Sequence, residues 1–288
     1  MSTAPALRIK CSPYREMVAV ARGDHFGIAG KGYCTVNDRL LHFDKVCSEI
    51  EWSEHGEVLY CFYGKGHVQL FDTQLVKIGQ DKFNDEVVSC KWNYIKKDLF
   101  AVLMNDAWVI GNVNGNKQRY MLQGGNDMAW SPRDPFQIAI PHSNGFSIFD
   151  IRQNDPIMHL GIDKCMSVDY SKYTKEIAIG TVNHQVLLYD ERTQKIRMAH
   201  KCHQLTVKSV KYSPFHPNQL ATCSYDLHTK YWDIQNGFNL VFDVQNHSEI
   251  VSGIDFSLFN DVFYDCGWDG KVQQYKIPEL THSPNVMK

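Results

Sequence analysis

Residues 211–233 read KYSPFHPNQLATCSYDLHTKYWD, and this stretch decides the fold. Around Tyr212, apolar residues alternate with polar ones, which is the period of a β-strand that is buried on one face. Leu220-Ala221-Thr222 and residues 229–233 are two further short segments, separated by a turn at Asp226. The stretch therefore predicts three successive strands, the last of which ends on the dipeptide Trp232-Asp233.

The same pattern recurs along the whole chain. Its first strand is marked by a column of mostly aromatic residues at intervals of about 40, the length of one four-stranded propeller blade. The column consists of Cys11, Trp52, Trp92, Trp130, Tyr170, Tyr212 and Phe256. A short apolar second strand follows each column residue, and a third strand closes most units. Four third strands end on an aromatic residue and aspartate: Phe71-Asp72, Phe149-Asp150, Tyr189-Asp190 and Trp232-Asp233. The repeat predicts an all-β, seven-bladed β-propeller of the WD-repeat type.

A propeller of 288 residues is one domain. The predicted blades cover residues 5–44, 45–82, 83–122, 123–160, 161–200, 201–245 and 246–288. No linker or low-complexity segment separates a second domain. Because only Met1 to Ala4 precede the first strand, we expect the tail from Pro278 to Lys288 to supply the outer strand of the last blade.

Composition excludes several classes of partner. The formal net charge of −2 creates no general attraction for nucleic acid or an anionic membrane. No apolar run is long enough for membrane insertion, and the first residues lack the apolar core of a secretory signal. Nine cysteines without a C-x-x-C pair indicate reduced, buried thiols. We therefore expect a soluble cytoplasmic protein.

Motifs for catalysis or cofactor binding are missing. Gly27 with Gly30, and Gly64 with Gly66, are not followed by a helix and make no phosphate loop. The tightest group of candidate metal ligands, His200-Lys201-Cys202-His203, has no second ligand pair at zinc spacing and predicts a turn between blades. We expect no cofactor, no metal and no enzymatic activity.

Some of the histidines have a structural interpretation. In WD repeats a histidine ahead of the first strand joins a buried hydrogen-bond chain with a strand-two hydroxyl, a turn aspartate and the strand-three tryptophan. Blade six offers His203, Ser224 or Thr222, Asp226 and Trp232, and blade seven offers His247 and Asp269. A satisfied polar network of this kind fixes a turn. The other blades keep less of it.

Three stretches carry a more specific resemblance, to the peroxin-7 family of receptors for the type 2 peroxisomal targeting signal. Residues 25–32 (HFGIAGKG) resemble that family's first blade, and residues 211–216 and 220–226 resemble its sixth. Residues 248–249, 253–258 and 265–269 resemble its seventh. The resemblance extends over all seven blades, closely in blades one, six and seven and loosely in blades three to five.

The resemblance implies a cytosolic import receptor that cycles to the peroxisome. Family members bind a short N-terminal signal of peroxisomal matrix proteins, which begins with a basic and then an aliphatic residue. The signal is thought to form an amphipathic helix on one face of the propeller. A co-receptor, either the long type 1 signal receptor or a fungal-type partner, covers it before the complex reaches the peroxisomal docking machinery.

Acids on that face would meet the basic residues of the signal, as helix-in-groove recognition requires. The resemblance points to Glu49 in blade two, Glu86 in blade three and Glu249 in blade seven, and Asp127 is an acid at the equivalent point of blade four. Because Glu49 and Glu86 come at the start of innermost strands in adjacent blades, we expect both side chains at the same rim.

The chain departs from the family at a few positions. Lys164 replaces the glutamate of blade five, Lys65 replaces the turn aspartate of blade two, and blade three ends on Gly111-Asn112 in place of Trp-Asp. These changes indicate an altered signal preference.

A generic WD-repeat scaffold is the alternative, for instance a substrate adaptor of a cullin-based ubiquitin ligase. Phe149-Asp150-Ile151-Arg152 and Tyr189-Asp190-Glu191-Arg192 approximate the Trp-Asp-x-Arg box of such adaptors. A propeller enzyme would need a central metal or acid cluster, and no repeated acid points to one.

Overall fold

The computed structural model describes residues 4–24, 30–53, 55–112, 115 and 117–277. Within them the chain forms 27 β-strands in seven antiparallel sheets, each built from strands that are consecutive in sequence. The predicted seven-bladed propeller is therefore confirmed. The expected outer strand from the tail, and the part of the first resemblance stretch at 25–29, lie outside the described residues.

The strands fall into blades as follows. Blade one contains β1 (Ala6–Cys11), β2 (Val18–Gly23), β3 (Gly32–Val36) and β4 (Arg39–Phe43). Blade two contains β5 (Cys47–Trp52), β6 (Val58–Tyr63), β7 (His67–Asp72) and β8 (Lys77–Lys82). Blade three contains β9 (Val87–Trp92), β10 (Leu99–Met104), β11 (Ala107–Asn112) and β12 (Lys117–Met121). Blade four contains β13 (Ala129–Trp130), β14 (Gln137–His142), β15 (Gly145–Asp150) and β16 (Pro156–Leu160).

The remaining blades repeat the arrangement. Blade five contains β17 (Cys165–Tyr170), β18 (Glu176–Thr181), β19 (Gln185–Asp190) and β20 (Lys195–Lys201). Blade six contains β21 (Val207–Tyr212), β22 (Gln219–Ser224), β23 (Thr229–Asp233) and β24 (Asn239–Val244). The described part of blade seven contains β25 (Val251–Phe256), β26 (Val262–Gly267) and β27 (Val272–Lys276).

The hydrophobic core is divided among the seams between blades. In the described part of the chain, each pair of neighbouring blades encloses one cluster of buried apolar side chains. The cluster between blades seven and one contains Ala6, Ile9, Val20 and Cys266. Because apolar burial stabilises by roughly 25 cal/mol per Å², every blade depends on both of its neighbours, and the ring is held closed by the same force that joins the other blades.

The first strand of each blade lies innermost and borders the central channel, since it packs beside the first strands of its neighbours. Column residues add polar contacts between blades. Trp52 Nε1 donates to the carbonyl of Lys10 at 3.2 Å, and Trp130 Nε1 donates to that of Lys91 at 3.0 Å. The innermost strands share one direction, so their N-terminal ends meet at one face of the ring, here called the upper face.

Candidate functional site

A cleft opens on the upper face beside the channel mouth, and we call it the upper cleft. Its apolar lining comes from Leu7, Val46, Tyr225, Ile250 and Trp268. Its polar lining comes from Arg8, Ser48, Glu86, Lys208 and Ser252. These residues belong to blades six, seven, one, two and three, so five of the seven blades contribute to the cleft. An apolar floor with a few placed charges is the usual composition of a peptide site.

The two aromatic side chains of the upper cleft occupy equivalent places in neighbouring blades. Tyr225 and Trp268 each follow strand two and precede the turn aspartate. The amide of Tyr225 donates to Thr206 O at 3.2 Å, and that of Trp268 donates to Ile250 O at 3.0 Å. Each turn is thereby tied to the loop that enters its own blade, which fixes the aromatic ring in the cleft lining.

Below Tyr225 lies the hydrogen-bond network of blade six. His203 Nδ1 contacts Asp226 Oδ2 at 3.0 Å, and His203 Nε2 contacts Thr222 Oγ1 at 2.8 Å. Trp232 Nε1 donates to the same Thr222 hydroxyl at 2.9 Å. Thr222 is thus the hydroxyl that links histidine to tryptophan. Ser224, the other predicted candidate, instead accepts the amide of Asp226 at 3.1 Å and shapes the turn.

Blade seven holds its turn with a second carboxylate in place of the hydroxyl. His247 Nδ1 contacts Asp269 Oδ1 at 2.9 Å, and His247 Nε2 contacts Asp265 Oδ1 at 2.9 Å. Thr229 of blade six donates its hydroxyl to Asp265. Strand three of blade six is therefore tied to the blade-seven network by a buried hydrogen bond.

The pKa values of the two histidines are shifted in opposite directions. Burial lowers the pKa of His203 below its ordinary value, although Asp226 partly offsets the effect. Burial also acts on His247, but the two carboxylates of Asp265 and Asp269 outweigh it and raise the pKa of His247. The pKa of Asp226 is lowered, because the hydrogen bonds from His203 and from backbone amides outweigh its burial.

The four acids proposed from the sequence separate into two groups. Glu86 is exposed and lines the upper cleft. Glu249 is also exposed, in the loop that enters blade seven and directly before the cleft residue Ile250. No hydrogen bond or ion pair of either carboxylate occurs among the described residues, so both are available to a ligand.

The expectation that Glu49 reaches the rim is wrong. Glu49 is the third residue of β5, and only 1% of its surface is exposed. Its carboxylate accepts a hydrogen bond from Arg8 Nε at 3.2 Å and another from the amide of Ile50 at 3.0 Å. The neighbouring innermost strand supplies the compensating cation, so Glu49 is a wall group of the channel.

Asp127 also lies in the channel wall and not at the rim. Its carboxylate accepts a hydrogen bond from the Ser89 hydroxyl at 3.2 Å and lies 3.7 Å from Lys91 Nζ. Its pKa is lowered, since Lys91 and Lys211 outweigh the effect of burial. Lower in the channel, Lys10 and Lys91 pair with Glu51, and Lys211 pairs with Asp169.

Of the ten residues that line the upper cleft, sequence reasoning proposed Glu86, and the nine that it missed include Tyr225, Trp268, Arg8 and Lys208. The two aromatics could have been found from their shared position immediately before a turn aspartate. Arg8 and Lys208 had no such signal, because an isolated cation at the start of an innermost strand does not reveal its partner.

Nothing in the described part of the chain is arranged as a metal site: no group of three or more His, Cys, Asp or Glu side chains could hold an ion. Both ring nitrogens of His203 contact side-chain oxygens of the network, and His200 stacks on Phe238 with ring centroids 5.0 Å apart. All nine cysteines are free, and eight of them are buried. In the described ranges no helix is long and apolar enough to cross a membrane.

The two Asp-x-Arg segments form local ion pairs. Arg152 and Arg192 each donate to the aspartate two residues earlier, Asp150 and Asp190, with Nε to Oδ1 distances of 2.9 and 3.1 Å. These contacts close the turn after the third strand in blades four and five.

This fold, with its His–Asp–Thr–Trp network, defines a WD-repeat β-propeller, and residues 194–233 match the WD domain, G-beta repeat model. The matched repeat runs from the outer strand of blade five through the third strand of blade six, so it is offset from the structural blade by one strand.

Among known proteins, the peroxisomal targeting signal 2 receptor of Saccharomyces cerevisiae is 22% identical, with 92% of this chain and 95% of the relative covered.

Two further relatives carry the same name. The peroxisomal targeting signal 2 receptor of Schizosaccharomyces pombe is 26% identical over 91% of this chain and 93% of its own length. That of Mus musculus is 36% identical over a shorter segment, 27% of this chain and 25% of the relative. The resemblance to the peroxin-7 family that the sequence indicated is confirmed over most of the chain.

Proposed function

We propose that this protein is a non-enzymatic import receptor that binds the N-terminal type 2 targeting signal of peroxisomal matrix proteins in the upper cleft. The proposal rests on a partly apolar cleft that is also lined by Glu86, an exposed acid without an ion pair among the described residues. The similarity to relatives that are named as receptors for this signal supports it.

The chemistry of the upper cleft suits an amphipathic helix. The aliphatic stripe of the signal packs against Tyr225, Trp268 and Ile250, which removes apolar surface of both partners from water. Glu86 pairs with the basic residue of the signal, and the exposed Glu249, which directly precedes the cleft residue Ile250, adds further negative charge. Rim pairs of this kind set orientation and association rate more than affinity.

A second protein is part of the proposal. A short helix on an open face leaves much of its own surface in water, so a co-receptor that covers the signal increases the buried area and the affinity. The receptor is cytoplasmic, meets the docking complex at the peroxisome together with its cargo, and needs no cofactor.

Peptide binding tests the proposal. A fluorescent signal peptide should bind the wild-type protein in the presence of co-receptor. Glu86→Lys should weaken binding by at least about tenfold, which corresponds to about 1.4 kcal/mol, because like charges then face each other across the interface. The variant should keep its melting temperature, since the exposed Glu86 carboxylate makes no hydrogen bond or ion pair among the described residues.

Glu57→Lys is the matched control, because Glu57 is exposed in the loop between β5 and β6 on the opposite face. It should bind the peptide as the wild type does. Equal loss of binding in both variants would indicate a nonspecific charge effect, and undiminished binding by Glu86→Lys would remove Glu86 from the site.

A further inference from the structure

The cations of the central channel are almost all paired. Arg8 contacts Glu49, Lys10 and Lys91 contact Glu51, and Lys211 contacts Asp169, each within 4 Å. Pairing is expected there, because a charge that leaves water needs a partner of opposite sign. Lys208 differs from the others: within the described ranges its ammonium group makes no hydrogen bond and no ion pair.

Lys208 lies where the channel opens into the upper cleft, and it lines both. It is the second residue of β21 and sits at an irregularity in the pairing with β22, between Val207 and Ser209. The side chain is half-buried. The guanidinium of Arg8 lies near enough to repel it, while Asp127 and Glu49 attract it more weakly.

This position is costly for an isolated cation. Burial, together with the positive charge of Arg8, lowers the pKa of Lys208 to about 8. Arg8 cannot move away readily, since its Nε is held by Glu49 and its Nη1 donates to Leu7 O at 3.1 Å. A negatively charged ligand at this point would relieve the repulsion and supply the missing partner.

A second residue with a donor group lines the same cleft as Lys208. The hydroxyl group of this residue, Tyr225, makes no hydrogen bond in the described part of the chain. An ammonium group and a phenol are suitable donors for the oxygens of one carboxylate or phosphate group. Because both residues line the upper cleft, it offers donors for an anion as well as the acid Glu86.

We propose that Lys208, supported by Arg8 and Tyr225, forms an oxyanion-binding site at the upper mouth of the channel, which takes a carboxylate from the peptide segment that occupies the upper cleft. The peptide part of this inference rests on the proposed function, while the anion site itself does not. A ligand that spans the cleft would then carry a basic residue toward Glu86 and an acidic one toward Lys208.

The first experiment probes the site without any peptide. Thermal melts of the purified protein are compared in phosphate and chloride at equal ionic strength and near-neutral pH, where Lys208 is mostly protonated. Phosphate stabilises proteins in general, so the readout is the difference between variants. Phosphate should raise the melting temperature of the wild type more than that of Lys208→Met. This difference should become smaller as the pH rises above about 8, the pKa of Lys208.

Lys201→Met is the matched control, because Lys201 is an exposed lysine at the upper end of β20 and lies outside the lining of the upper cleft. It should respond to phosphate as the wild type does. If Lys208→Met proves unstable, Lys208→Gln and Lys208→Arg replace it, and only the arginine variant should retain the response.

The second experiment identifies the source of the anion. Signal peptides that carry glutamate in turn at each variable position are compared with the same peptides carrying glutamine. At one position the glutamate peptide should bind the wild type about tenfold more tightly, a difference of about 1.4 kcal/mol. Lys208→Met should bind the two peptides equally.

The outcomes separate the two proposals. A phosphate response that is lost in Lys208→Met supports the oxyanion site even if no signal peptide binds, in which case the receptor function fails alone. A phosphate response without a glutamate preference assigns the site to free phosphate groups. Equal phosphate responses in the wild type and Lys208→Met, with equal binding of both peptides, would overturn the site.

Discussion

Two histidines at equivalent positions of neighbouring blades carry opposite pKa shifts. His203 faces one carboxylate and one hydroxyl, so burial dominates and its pKa is lowered. His247 faces two carboxylates, and its pKa is raised. The strand-two residue is Thr222 in blade six and Asp265 in blade seven, and the strand-three residue also differs, Trp232 against Tyr275. The second carboxylate in contact with His247 favours a protonated imidazole there.

This contrast predicts opposite pH dependences of stability. Because the pKa of His203 is lowered, its contribution is present above the ordinary histidine pKa of about 6.5 and is lost as the pH falls through its folded value. Because the pKa of His247 is raised, its contribution is present below about 6.5 and is lost as the pH rises through its folded value.

Urea denaturation across this pH range measures the effect. The loss of unfolding free energy in His203→Gln should be larger on the alkaline side, and the loss in His247→Gln larger on the acidic side. The pKa values of Asp226 and Asp269 are lowered, so these two carboxylates do not titrate in the range where histidine does. The same pH trend in both variants would contradict the two assigned networks.

At the scale of the element, each blade is held in the ring by the side chains that its strands bury against the neighbouring blades. Trp232 of β23 is 4% exposed, packs in the cluster between blades five and six, and donates to Thr222. Its ring therefore combines apolar burial with a hydrogen bond that completes the network under Tyr225. Blade three ends on Gly111-Asn112 and has no such tryptophan at its end. There Trp108 fills the seam between blades three and four, and its ring stacks on Tyr120 with centroids 4.3 Å apart.

Trp232→Ala should destabilise the propeller by about 3–5 kcal/mol, the usual cost of a large side chain removed from a core. Trp232→Phe keeps most of the apolar volume and loses only the hydrogen bond, so it should cost about 1 kcal/mol. Thermal or urea denaturation gives both values. An unchanged melting temperature for the alanine variant would rule out the blade-six network described above.

The whole molecule is a closed ring, and its closure depends on one seam between distant parts of the sequence. The Ser252 hydroxyl donates to Ala6 O at 2.6 Å, and the amide of Cys11 donates to Asp255 Oδ2 at 2.8 Å. The equivalent bond between blades five and six joins the amide of Tyr212 to Asp169 Oδ2 at 2.8 Å. The seam that closes the ring therefore contains the same aspartate-to-amide hydrogen bond as the seam between blades five and six.

Asp255→Ala should lower stability by about 1–3 kcal/mol, because the amide of Cys11 loses its acceptor. For a protein of this size we expect a fall in melting temperature of roughly 2–4 °C per kcal/mol. Asp255→Asn retains an acceptor oxygen and serves as the control, with a smaller loss. Equal melting temperatures of the alanine variant and the wild type would show that the apolar cluster alone closes the ring.

The sequence by itself determined the seven-bladed fold, because strand period and repeat length are local properties that recur along the chain. It also determined the polar network of blade six, whose members stand at fixed spacings within one repeat, except for the choice between Ser224 and Thr222. That choice depends on which hydroxyl points into the seam, where His203 and Trp232 meet.

Only the tertiary structure decided which charges are available to a ligand. Glu49 and Glu86 look alike in sequence, yet one is neutralised in the channel by Arg8 and the other is exposed at the upper cleft. Lys208, which makes no ion pair within the described residues, could not be recognised from the sequence either. The reason is physical: the partner of an innermost-strand charge stands on a neighbouring blade, and only ring closure determines which side chains then meet.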